Sequence, residues 1–134
     1  VSLQLSDTVA NARLDAIEAS IGVSPKLQIR TGAPPANCAA ADSGTLLVEI
    51  PLPADWMTDA ANRQKGMNGV WSFAAIAAGI AGHFRIKDNA DATTHMQGEV
   101  VAVGNAGTMA INNTNIALGQ TITVSYFILL DGNA

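Results

Sequence analysis

Two histidines, His83 and His95, have the widest chemical reach in this chain, because imidazole titrates near neutral pH and ligates metals. With Asp88 and Asp91 between them they make up the two-histidine-plus-carboxylate set that holds zinc or iron. Their spacing matches no known ligand pattern, since a cupin-like centre needs His-x-His on one strand. The expected arrangement is a solvent-facing histidine on each of two paired strands, with His95 at a subunit contact as the alternative. Cys38 is the single thiol and cannot form an intramolecular disulfide. It lies in Pro34-Pro35-Ala36-Asn37-Cys38-Ala39-Ala40-Ala41, without the basic neighbour or helix start that favours a thiolate. A packed loop thiol is expected there, with an intersubunit disulfide as the alternative.

Other chemistries lack their parts. There is no Gly-x-Ser-x-Gly elbow and no phosphate-cradling Gly-x-x-x-x-Gly-Lys. Glu49 and Glu99 are the only acids in mid-strand positions, and nothing in the sequence pairs them as glycosidase carboxylates. Asp88-Asn89-Ala90-Asp91 lacks the glycine and terminal glutamate of a calcium loop. Trp56 and Trp71 either stack on sugar rings or anchor a core. The reading is a protein that is not an enzyme and has neither a cofactor nor a metal.

The elements that would position these residues are mainly β. Residues 6–21 read as a helix, capped by Ser6 or Asp7 and ended by Gly22. Ala10, Leu14, Ile17 and Ile21 form one apolar stripe, and Leu5, Val9, Ala12 and Ala16 form a second beside it. Asn11, Asp15 and Glu18 lie opposite. After Pro25 the period changes to two. Strands are expected around 27–30, 45–52, 70–81, 82–88 (Phe84 and Ile86 inward; His83, Arg85 and Lys87 outward), 93–103, 109–111 and 119–133. Residues 54–69 read as an excursion with a short helix capped by Asp55. The last strand alternates Ile122, Val124 and Tyr126 against Thr121, Thr123 and Ser125. It then turns continuously apolar from Phe127 to Leu130, a pattern that requires cover on both faces. That cover is either the helix or another subunit. The fold class is therefore an antiparallel β-sandwich or jelly-roll-like domain with one N-terminal α-helix. It is a single domain over 1–134, divided into an arm and helix (1–24) and a β-sandwich (25–134).

The composition narrows the function classes. Charged residues make up 13% of the 134, about half the usual share, while alanine alone supplies 24 residues. Such a surface suits a secreted or particle-bound β protein, or a subunit whose surface is largely taken up by neighbours. A net charge of −4 with scattered basic residues provides no basic stripe for nucleic acid. No apolar run is long enough to cross a membrane. No signal peptide is expected, and Val1 at the start fits removal of an initiator methionine or processing from a longer precursor.

Several segments together resemble a known group. They are Leu14-Asp15-Ala16-Ile17-Glu18, the run from Leu27 through Thr31-Gly32-Ala33-Pro34-Pro35 to Cys38, Asp55-Trp56-Met57, Ala81-Gly82-His83-Phe84-Arg85-Ile86 and Asn115-Ile116 through Val124. The chain resembles small virion structural proteins of tailed bacteriophages. That resemblance implies a virion component, with two roles to weigh. One is a capsid decoration or cement protein on the outer capsid surface, partnered by the major capsid protein and by copies of itself as a dimer or trimer. The other is a tail, head–tail joining or fibre component, and a carbohydrate-binding adhesin module forms a third class. Under the cement reading the expected contacts are Val1, Leu3 and Leu5 in the arm, Pro34 and Pro35 in a stiffened loop, Phe127 and Leu129 in the last strand, and the small residues of 74–81.

Overall fold

The computed structural model describes residues 3–132; the expected contact at Val1 lies outside the described residues. Ser6 starts the helix by accepting the Val9 N–H on its side-chain oxygen (3.3 Å), and α1 (Asp7–Ile21) follows, with Asp7 in the positive first turn. Gly22 ends it at φ 94°, donating its N–H to the Glu18 carbonyl. Both ends fall where the cap residues place them.

Nine strands follow among the described residues: β1 (Lys26–Thr31), β2 (Leu46–Pro51), β3 (Gln64–Gly66), β4 (Ser72–Ala74), β5 (Gly79–Lys87), β6 (Thr94–Ala102), β7 (Met109–Ile111), β8 (Asn115–Ile116) and β9 (Thr121–Leu130). The protein is mainly β with one N-terminal helix, as its periodicities imply. The strands form one hydrogen-bonded path, β2-β1-β5-β6-β7-β9-β3, with β4 on β9 and β8 on β5. The path is not split into two stacked sheets. It curls into a half-barrel, and the Ile76 N–H beyond β4 donates to the Leu47 carbonyl of β2 (2.8 Å), linking its two ends. All strand pairs are antiparallel except β6–β7. That pair needs no helical crossover. β7 has to return only as far as Val100, roughly 10 Å at ~3.3 Å per residue, which residues 103–108 can span.

The concave side holds the core. Trp56, Trp71, Phe84 and Phe127 form a chain of aromatic contacts with ring centroids 5.6–6.0 Å apart, and all four are fully buried. Leu27, Ile29, Leu47, Val48, Ile50, Ile86, Met109, Ile111 and Ile122 fill the space around them.

The apolar end of β9 has a local explanation. Ile111 pairs with Val124, but its neighbour Ala110 pairs with Tyr126, so one extra residue is accommodated on β9. Such a bulge switches which parity faces inward. Before it Ile122 and Val124 are buried; after it Phe127 is buried and Leu129 packs on the core, while Tyr126 and Leu130 are exposed. Phe127 is thus an interior residue, and the expectation that it contacts a partner is corrected; Leu129 is half-buried against the core. Nor does Tyr126 belong to the inward series. The run reads as continuously apolar because half-buried Ile128 and exposed Leu130, which alternate with Phe127 and Leu129, are apolar as well.

Two further expectations change. Residues 54–69 contain no helix; they form an irregular hairpin-like excursion held by the Met57–Met67 and Ala61–Gln64 bridges and by β3. The polar stripe of α1 is also not its solvent face. Asp7 accepts from Arg63 Nε (2.8 Å), Asn11 from the Arg63 N–H (3.0 Å), Asp15 from the Ala60 N–H (2.9 Å) and Glu18 from the Met57 N–H (3.1 Å). These residues, spaced four, four and three apart, fall on one face. Asp7 meets the Arg63 guanidinium, and Asn11, Asp15 and Glu18 meet backbone N–H groups of the excursion. The stripe formed by Val9, Ala12 and Ala16 is left exposed instead.

Candidate assembly surface

Three regions combine chemical groups in ways that bear on function. The first joins α1 to the excursion. Lys65 is almost wholly buried, and its Nζ donates to Asp15 Oδ1 (2.7 Å) and the Thr58 carbonyl (2.9 Å) and lies 2.9 Å from Glu18 Oε1. Burial disfavours its charge, yet the hydrogen bonds and charges of Asp15 and Glu18 outweigh that and hold its pKa above the ordinary lysine value. Arg63 reaches the Leu5 carbonyl, Asp7 and the Gly132 carbonyl, tying both chain ends to the same excursion.

The second region is the outer face of β1, β5 and β6 beneath the loop 32–44. His83, Arg85 and Lys87 do point away from the core, as the alternation implies, but they are buried because this loop lies over them. His83 Nδ1 donates to the Gly32 carbonyl (2.9 Å) and Gln97 Nε2 to the Pro35 carbonyl (2.7 Å). The Nη atoms of Arg85 bond to the carbonyls of Asn37, Cys38 and Ala40 and to Asp42 Oδ1 (2.5 Å). Asp42 also takes Lys87 Nζ (2.6 Å) and Arg30 Nη2 (3.2 Å). Burial raises the pKa of Asp42, but the hydrogen bonds from Lys87 and Arg85 and the nearby charges prevail and hold it below the usual carboxylate value. Gly82 lets the loop settle: a Cβ there would lie 2.1 Å from the Gly32 carbonyl oxygen. Beside the loop a cavity of about 330 Å³ is lined by Cys38, Asp42, Arg85, Lys87, Thr93 and Thr94 among others. It contains no nucleophile–base pair.

The two histidines and the carboxylates between them are not brought together in one group. His83 is fully buried against the loop, whereas His95 stands at the hairpin end 4.0 Å from Asp88. The Asp88 carboxylate accepts the Ala92 N–H (2.8 Å) and the Thr93 N–H (3.4 Å), so it closes the β5–β6 turn. Those backbone donors, Ala92 first, lower its pKa. Among the described residues no group of His, Cys, Asp and Glu is arranged to hold a metal. Trp56 and Trp71 donate their ring N–H groups to the carbonyls of Gly22 (3.0 Å) and Asn68 (3.1 Å), and neither ring offers a face for a sugar.

The third region is an apolar ribbon. Residues 75–81 run antiparallel to 114–120. The Ala75 N–H bonds to Gln120 and its carbonyl to the Gly119 N–H; Gly79 and Ile80 pair with Ile116 and Asn115; and the Ala81 N–H bonds to Thr114. Ala75, Ala81 and Ile116 face inward. A Cβ on Gly79 would press on Leu47 at 3.0 Å, so the small residues seat the ribbon on its own barrel. Outward stand Ile76 (59% exposed), Ile80 (69%) and Leu118 (71%), with Phe73 of adjoining β4 half exposed. Burying four such side chains on a partner is worth roughly 1–2 kcal/mol each before association entropy.

Among the contacts expected from sequence, Leu3 is exposed, while Leu5, Pro34 and Pro35 are half-buried. Ile76 and Ile80 lie within the 74–81 stretch expected to make contacts through its small residues, but its large side chains are the exposed ones; Phe73 and Leu118 were not foreseen. Comparison with family models, curated proteins and solved structures finds no significant match.

Proposed function

We propose that this chain is a non-enzymatic virion structural protein. In this reading it is a capsid decoration or cement subunit that binds the major capsid protein lattice and copies of itself on the outer surface of the particle. The observation carrying this reading is the exposure of the large apolar side chains Phe73, Ile76, Ile80 and Leu118 on β4 and on the paired segments 75–81 and 114–120. A rigid apolar surface with few charges makes a shallow contact that is weak singly and strong when repeated over a lattice. The low charge of the chain and its resemblance to virion proteins of tailed phages support the same reading.

The test pairs location with surface variants. Ile76→Asp combined with Ile80→Asp should leave the fold and thermal midpoint of the free protein intact and abolish its binding to capsids. Binding that survives both substitutions would sink the ribbon as the contact. Quantifying the protein in purified particles separates the roles: a copy number comparable to that of the shell subunit fits decoration. A ring or fibre stoichiometry would move it to the tail.

A further inference from the structure

We infer that one internal water molecule is an integral part of the seat beneath loop 32–44, bound by His83, Arg85 and Gln97. The inference comes from the polar atoms that His83, Arg85 and Gln97 leave over on that face. The Gly32 carbonyl can only accept, so Nδ1 of His83 carries the proton, and in the neutral ring Nε2 is an acceptor. The Pro35 carbonyl likewise fixes the Gln97 amide, turning its NH₂ toward the loop and leaving Oε1 as an acceptor. The Nη groups of Arg85 are occupied by three loop carbonyls and Asp42, leaving Nε–H as its one remaining donor. His83 Nε2, Arg85 Nε and Gln97 Oε1 are all buried and have no partner among the described residues.

The remainder is two acceptors and one donor. A water molecule offers two donors and accepts readily, so it can give one hydrogen to His83 Nε2, one to Gln97 Oε1, and accept from Arg85 Nε–H. The strand register supports a shared partner. Gln97 stands directly across from Arg85 in the β5–β6 pair, and His83 lies two residues along the same face of β5. Leaving the three atoms unpaired would cost about 1–3 kcal/mol each. Buried waters with about three such bonds occur in most domains of this size. The ligand is therefore water, and its effect is to make loop 32–44 continuous with the barrel.

The wild-type protein decides the matter. A high-resolution crystal structure should show a solvent peak within hydrogen-bond distance of His83 Nε2, Arg85 Nε and Gln97 Oε1. In solution, Arg85 Nε–H should give a cross-relaxation peak to a long-lived water, and ¹⁵N shifts should report the Nδ1–H tautomer of His83. Gln97→Leu should abolish that water peak. Direct bonding of Arg85 Nε–H to Gln97 or His83 with no solvent peak between them would overturn the inference. So would an Nε2–H tautomer of His83.

Discussion

Replacing Lys65 with methionine tests whether a charged cluster, rather than the apolar stripe, secures the helix to the barrel. Methionine keeps the aliphatic length, so no large cavity arises, and the loss is confined to the bonds of Nζ with Asp15, Glu18 and the Thr58 carbonyl. Charge-assisted hydrogen bonds are worth about 1.5–3 kcal/mol each. Their sum must be discounted, because Asp15 is about half exposed and is rehydrated, and both carboxylates keep backbone donors. Glu18, more deeply placed, bears most of the remaining penalty. A net destabilisation of about 3 kcal/mol follows. At ~2.1 cal/mol/K per residue the unfolding entropy of this chain is roughly 0.28 kcal/mol/K, so the midpoint should fall by about 10 °C. Urea and thermal unfolding followed by circular dichroism measure the change. Tryptophan fluorescence adds a local readout, because Trp56 bonds to the Gly22 carbonyl at the helix end. A double-mutant cycle with Glu18→Gln should show coupling above about 1 kcal/mol. If K65M is as stable as the parent, the cluster merely breaks even against apolar packing and the reasoning fails.

Asp42→Asn should destabilise the protein by about 2 kcal/mol at neutral pH, since Arg85 and Lys87 lose their common counter-charge. The folded pKa of Asp42 lies below its ordinary value of 3.8, so its contribution is full above that pH and is lost as pH falls through the folded value. The stability gap between D42N and parent, measured by urea titration, should therefore be constant from pH 7 to about 5 and close in stronger acid. Gly82→Ala forces a Cβ into the Gly32 backbone and should lower stability by about 3 kcal/mol, with increased amide exchange across 32–44 as the local signature. Phe127→Asp should abolish the folded monomer, as judged by near-ultraviolet circular dichroism, because the ring is enclosed by Trp71 and Phe84. A soluble, folded but non-assembling F127D would place Phe127 in an interface after all.

Much of this protein was decided locally and could be read from its letters. Ser6 and Gly22 bound the helix because capping depends on a few adjacent residues. The two-residue period of Leu27, Ile29, Phe84 and Ile86 marked the core, because a strand alternates faces whatever its partners. The mainly β class with one N-terminal helix follows from these signals alone. What depends on which segments meet was hidden. The bulge opposite Ala110 is a property of the β7–β9 pair, so nothing in β9 by itself shows where the parity of its apolar residues changes. Asp15 and Glu18 look like solvent-facing helix residues until residues 57–65, far along the chain, bring backbone N–H groups and Lys65 to them. His83 and Arg85 alternate outward as read, yet whether outward means solvent depended on a loop settling over Gly82. The exposure of Phe73, Ile76, Ile80 and Leu118 was hidden for the same reason: hydrophobicity says that a side chain gains by being covered, and only the tertiary structure says whether this chain covers it.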